Sequence, residues 1–144
     1  MDYVIDGKDK VIGRVGSQVA KLLLNEHSVV IINSEKMIMT GHEPQLIAKY
    51  KQLIELKDKA NPEHSPYWPR RPDMFVKRII RGMLPYKKPS GKAAFKRLKT
   101  YIGVPEGIKT SKLHNVESKK PSEIFENTMS IQELTEKLGY AIQK

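Results

Sequence analysis

The run Val29-Val30-Ile31-Ile32 constrains the fold of this chain more than any other feature. Consecutive β-branched residues bounded by polar ones give neither the alternation of a half-exposed strand nor the spacing of an amphipathic helix. They suit a strand buried on both faces, and such strands belong to parallel sheets covered by helices on each side. The upstream residues complete the unit. Tyr3-Val4-Ile5-Asp6-Gly7 reads as a short strand closed by a glycine turn. Gly13 to Asn25 reads as a helix, with Val15, Val19 and Leu22 or Leu23 at helical spacing and Asn25 at the exit. Strand, helix and buried strand make a βαβ crossover, so the strands are expected to be parallel. Gly13 and Gly16 are expected to let the helix start pack closely on the sheet.

Met37 to Gly41 reads as a short extended piece, and Pro44 to about Leu56 as an amphipathic helix with Leu46, Ile47, Tyr50, Leu53 and Ile54 on one side. Between Asn61 and Pro72, the prolines Pro62, Pro66, Pro69 and Pro72 preclude regular structure, and Tyr67 and Trp68 sit among them. Pro72-Asp73 can open a helix carrying Phe75, Val76, Ile79 and Ile80 inward and Lys77, Arg78 and Arg81 outward, with Gly82 as terminator. Met83 to Pro89 is a loop. Ser90 is expected to cap a second helix, with Ala94, Phe95 and Leu98 facing the core. Lys92, Lys96 and Lys99 then form one exposed stripe, with Arg97 beside it. Thr100 to Pro105 is expected as a strand. The polar tail from Glu106 is expected to wrap over the body. It ends in a helix whose start, Ser130 with Glu133, has the capping-box spacing, with Ile131, Leu134 and Leu138 inward and Gly139 closing it. This gives an α/β core over residues 1–105 and a C-terminal extension over 106–144.

The charge is distributed unevenly. The net charge is +10. Residues 1–69 carry nine basic and nine acidic side chains, and residues 100–144 carry six of each. Residues 70–99 carry eleven Lys and Arg against one acid, Asp73. A surface built for solubility alone interleaves both signs. Repulsion concentrated in one segment opposes compaction, so the pattern points to a polyanion that relieves it. An ordinary basic face on an otherwise neutral enzyme is the alternative.

Other chemistry has little support. Gly7, Gly13 and Gly16 do not make a dinucleotide fingerprint, and there is no phosphate-loop or nucleophile-elbow pattern. His27, His42, His64 and His114 are scattered without metal-ligand spacing, and the absence of cysteine excludes disulfides, zinc thiolates and thiol nucleophiles. No catalytic residue, metal, cofactor or small-molecule substrate is expected. No apolar run reaches the length of a membrane span, and the N-terminal residues lack signal-peptide character, so a cytoplasmic protein is expected.

Nucleic acid has positive support. Arg70, Arg71, Lys77, Arg78, Arg81, Lys87, Lys88, Lys92, Lys96, Arg97 and Lys99 span two expected helices and their loops. Each such cation that meets a phosphate releases condensed counterions. Arg14, at a helix N-terminus, opposes the helix dipole unless an anion intervenes; a solvated side chain and a phosphate contact both remain open. Tyr67, Trp68 and Tyr86 flank the basic segment and can stack on splayed bases, although for Trp68 anchoring of the proline-rich loop is the favoured reading. No helix-turn-helix or zinc-finger pattern is present, which favours recognition of folded RNA by shape and backbone. A DNA-compacting protein and a nucleotide-dependent enzyme on a βαβ scaffold are the rival readings.

Three blocks carry a resemblance to a known family: Ile5-Asp6-Gly7 through Val11-Ile12-Gly13-Arg14-Val15 to Leu23; Val30 to Lys36 with Thr40-Gly41; and Arg81-Gly82-Met83-Leu84-Pro85 through Gly91 to Ala94-Phe95-Lys96-Arg97-Leu98-Lys99-Thr100-Tyr101-Ile102-Gly103-Val104-Pro105. Across residues 3–105 the chain resembles large-subunit ribosomal protein thirteen in its archaeal and eukaryotic form. The final helix, Ser130 to Tyr140, looks like the extension found in that form, while residues 106–129 match poorly. The resemblance implies a three-layer α/β/α fold with a mostly parallel sheet of about four strands. It also implies a structural role in large-subunit assembly and translation, with ribosomal RNA and neighbouring ribosomal proteins as partners. By resemblance, RNA contacts centre on Arg14, Arg81, the Lys87-Lys88 loop and the Lys92–Lys99 helix.

Overall fold

The computed structural model describes residues 2–108, 114 and 127–141. Along the chain run β1 (Asp2–Asp6), α1 (Ile12–Leu24), β2 (Ser28–Ile32), β3 (Ile38–Thr40), α2 (Glu43–Glu55), α3 (Pro72–Gly82), α4 (Pro89–Lys96), β4 (Leu98–Thr100), β5 (Thr128–Ser130) and α5 (Ile131–Lys137). Short 3-10 turns lie at Ser34–Lys36 and Pro62–His64. The arrangement is α/β/α about a mostly parallel sheet, with a helix in the C-terminal extension.

The β-branched run forms β2, the central strand of a parallel sheet ordered β1-β2-β4. Val4 pairs with Val30, and Val30 in turn with Lys99. Val29, Ile31 and Ile32 are buried, whereas Val30 is only half-buried. Helix α1 supplies Val15, Val19 and Leu23 to the core, and α3 supplies Phe75, Val76 and Ile80. Each fully buried aliphatic or aromatic side chain contributes about 1.5–3 kcal/mol, so these two helices hold the sheet chiefly by apolar burial.

Among the described residues the parallel sheet has three strands, and the strand after β2 lies elsewhere. Asn33 turns the chain out of β2 with a left-handed backbone (φ 52°), and its side-chain amide donates to Asp6 Oδ1 at 2.9 Å. The 3-10 turn follows, so β3 pairs antiparallel with β5, with Met39 opposite Met129. Polar contacts knit the turn to the chain leaving β4: Ser34 Oγ donates to the Tyr101 carbonyl at 2.7 Å, and Gly103 N–H donates to Glu35 Oε2 at 3.1 Å.

The Gly13 to Asn25 helix, the Pro44 to Leu56 helix and the C-terminal helix form where the sequence predicts them. In α5, Glu133 N–H donates to Ser130 Oγ and Ser130 N–H to Glu133 Oε2, the reciprocal bonds of a capping box. Gly139 has a left-handed backbone (φ 96°) just beyond. The packing role expected of the glycines differs. Gly13 has open space around it, whereas a Cβ on Gly16 would lie 2.8 Å from Met83 Sδ. Gly16 therefore admits the chain leaving α3 rather than the sheet.

The basic segment departs most from expectation. Helix α4 begins at Pro89, whose fixed φ suits a first helical position, and Ser90 makes no cap bond. The helix ends at Lys96 because the next residues join the sheet: the Arg97 carbonyl accepts from Val29 N–H at 3.2 Å, and Leu98 pairs with Val29. The strand thus covers Leu98–Thr100 instead of starting at Thr100. The chain then leaves through a turn in which Gly103 is left-handed (φ 65°). Thr100 Oγ1 donates to the Asp73 carbonyl at 3.0 Å, fastening the start of α3 to β4. Most of the tail expected to wrap over the body lies outside the described residues. His114 is described: its backbone N–H donates to the Val4 carbonyl at 2.7 Å, and its ring meets Tyr3 edge-on at 5.0 Å.

Candidate nucleic-acid interface

Helix α3 is amphipathic, and its inward face is fixed by Phe75, Val76 and Ile80. The same periodicity turns Lys77, Arg78 and Arg81 toward its other side, where they meet aromatic residues from the flanking segments. Arg78 lies over the Trp68 ring at 5.5 Å, Arg81 over Tyr86 at 4.0 Å, and the Lys77 ammonium over Phe95 at 5.1 Å. All three cations are half-buried. A cation held on a ring face keeps its charge while losing rotamer freedom, so less ordering remains when an anion arrives.

Two adjoining grooves result. One, of about 420 Å³, runs between Tyr67 and Phe95 along Arg70, Arg71, Lys77, Arg78 and Arg81. The other, of about 670 Å³, runs from Trp68 to Tyr86 past Arg78, Arg81, Lys87 and Lys88. Arg78 and Arg81 line both. The acid of this segment is already engaged: Asp73, in the first turn of α3, accepts from Arg71 Nε at 2.9 Å. Burial pushes the Lys77 ammonium below its ordinary value, and Asp73 partly opposes that shift. Its folded pKa thus lies below the unfolded one, so the folded state gains stability as pH rises through that window. A phosphate beside Lys77 would act like Asp73 and favour the charged form.

Seven sequence-selected cations, Arg70, Arg71, Lys77, Arg78, Arg81, Lys87 and Lys88, line these grooves. The remaining four of the basic segment are dispersed. Lys92 and Lys96 are exposed on α4. Lys99 does not continue their stripe, because it stands on β4. Leu98 and Thr100 are buried on the face that Thr100 shares with α3, and alternation along a strand turns the exposed Lys99 to the opposite face. Arg97 serves the fold: it is half-buried, and Nη2 donates to the Leu23 carbonyl at the end of α1 at 2.9 Å. Arg14 is exposed in the first turn of α1 and lines neither groove.

The aromatic candidates also divide. Trp68 packs in a cluster with Tyr50 and Phe75, at ring separations of 5.6 and 5.9 Å, and so anchors the proline-rich loop. Tyr86 lies between Arg81 and Phe95, the latter edge-on at 5.4 Å. Tyr67 is 80% exposed and offers its ring to solvent. Two groove residues carry little sequence signal for a site: Met74 is exposed on α3, and Phe95, half-buried, packs against the core as expected while also lining the groove. Its position at the end of the short α4, under Lys77, follows from where that helix stops. No group of three or more His, Cys, Asp and Glu converges among the described residues, and no described helix is long and apolar enough to cross a membrane.

A cationic helix face floored by aromatic rings, on a mostly parallel α/β scaffold, defines a class of proteins suited to holding a polyanion. Within that class the chain belongs to the ribosomal protein L13 family, whose model matches residues 1–106. It is similar to the large ribosomal subunit protein uL13 of Methanococcus maripaludis, with 49% identity over 106 residues, 73% of this chain and 77% of that protein. The protein of the same description from Methanosphaera stadtmanae is 41% identical over 125 residues, 86% of this chain and 88% of its own length. That of Methanopyrus kandleri is 39% identical over 146 aligned positions, 95% of this chain and 86% of its own.

Proposed function

We propose that this chain is a structural, non-catalytic constituent of the large ribosomal subunit, where it binds ribosomal RNA and supports subunit assembly and translation in the cytoplasm. Family membership supports the subunit role. The observation that carries the RNA-binding face is the convergence of seven cations on two grooves that share Arg78 and Arg81. In this reading Arg70, Lys77, Arg78, Arg81, Lys87 and Lys88 meet the RNA backbone. Lys92 and Lys96 form an outer fringe, and Arg14 and Lys99 reach separate RNA segments or neighbouring ribosomal proteins. Residues 1–105 act as the RNA-binding core and residues 106–144 as a C-terminal extension ending in a short helix.

Tagged full-length protein is expected to co-sediment with large subunits through a sucrose gradient at moderate salt. Its affinity for isolated ribosomal RNA should fall with log salt by about 0.7 per phosphate neutralised on unpaired RNA. Sedimentation with free protein only, or a flat salt response, would refute the reading. Equal competition by duplex DNA would instead favour a DNA-compacting role, since A-form RNA and B-form DNA present different groove shapes.

A further inference from the structure

We propose that the groove between Tyr67 and Phe95 receives one unpaired nucleotide of the bound RNA, its base stacked on Tyr67 and its phosphate among the surrounding cations. The proposal rests on the RNA-binding reading above and adds a site and a ligand form to it. The other rings nearby have partners within the fold: Trp68 has Tyr50 and Phe75, and Tyr86 has Phe95. Tyr67 is 80% exposed and Met74 50% exposed, and both line this groove. Pro66 and Pro69 restrict the backbone around Tyr67, so the ring is presented from a stiffened loop.

Apolar surface of this kind has nothing to gain from a paired helix, which shows a protein mainly phosphates, ribose hydroxyls and base edges. A base turned out of its stack has an unsatisfied π face, and aromatic side chains accept any base in that way. Its own phosphate then falls within reach of Arg70, Lys77 and Arg78. The volume of about 420 Å³ lies within the range of small-ligand pockets, about 300–1,000 Å³, which suits one nucleotide and not a duplex. Arg71 is tied to Asp73 and shapes the wall.

Fluorescence anisotropy with the full chain tests this, using an RNA hairpin with an unpaired bulge and the same hairpin with the bulge paired. The wild-type chain should bind the bulged hairpin more tightly. Tyr67→Ala should weaken that complex about tenfold, toward the lower end of what one base stack contributes, and leave the paired hairpin unchanged. Tyr67→Phe should bind as wild type. Loss on both hairpins alike, or on neither, overturns the nucleotide site while the salt-dependent affinity for both still supports general RNA binding. Displacement of the bulged RNA by poly-glutamate as readily as by unlabelled bulged RNA also overturns it, because the groove would then read charge alone. If neither hairpin binds in a salt-dependent way, the broader reading falls with it.

Discussion

Helix α3 and the α4–β4 stretch are neighbours in sequence and similarly basic, yet their cations meet different surroundings. On α3, Lys77, Arg78 and Arg81 are half-buried over Phe95, Trp68 and Tyr86; all three line one groove, and Arg78 and Arg81 also line the second. In the α4–β4 stretch, Lys92 and Lys96 stand in solvent, Arg97 is spent on the Leu23 carbonyl, and Lys99 faces the other side of the sheet. Charge count does not separate the two regions. Pre-organisation does, because a guanidinium already held on a ring loses less freedom on meeting a phosphate than a solvated lysine does.

The largest effect is expected where the two regions touch. Gly91, in the first turn of α4, lies against the loop that leaves α3, and a Cβ there would fall 2.1 Å from the Pro85 carbonyl oxygen. That neighbour is backbone and cannot rotate away. Gly91→Ala should therefore destabilise the protein by about 3 kcal/mol and lower RNA affinity by displacing Tyr86 to Lys88. Denaturant unfolding beside an RNA titration reads both, and a stability within error of wild type would break the picture of a loop clamped to α4.

The comparison itself is sharpened by paired substitutions. Arg78→Ala with Arg81→Ala is expected to weaken RNA binding about thirtyfold, and Lys92→Ala with Lys96→Ala about fivefold, although each pair removes the same formal charge. Filter binding at several salt concentrations should show similar changes of slope for the two pairs and different intercepts. Equal losses would mean that net charge alone sets affinity and that the aromatic floor is incidental.

The smallest effect concerns Arg97. Arg97→Met removes the bond to the Leu23 carbonyl at the end of α1 and should cost about 1.5 kcal/mol of stability, while leaving the affinity of the folded protein for RNA unchanged. A thermal melt and an RNA titration on the same sample separate the two roles. A loss of affinity without loss of stability would return Arg97 to the RNA-binding face.

Local pattern carried much of this molecule. The β-branched run at Val29 to Ile32, the spacing within α1 and α3, and the Ser130–Glu133 box each specify their element, because the physical cause lies within a few residues of chain. The segment from Lys92 to Lys99 shows where that reasoning stops. Its residues have ordinary helical propensity, and the spacing of Lys92, Lys96 and Lys99 reads as one face. Pairing of Leu98 with Val29, far away in sequence, ends the helix at Lys96 and turns Lys99 aside.

The sequence by itself determined that a parallel strand–helix–strand unit would form and that eleven cations against one acid would gather in thirty residues. Only the tertiary structure decided which of those cations share a groove, which ring each rests on, and that Tyr67 rather than Trp68 or Tyr86 stays open to solvent. The reason is one of range. Backbone conformation and hydrophobic periodicity act over a few residues, whereas the environment of a charge is set by whichever distant segments pack around it.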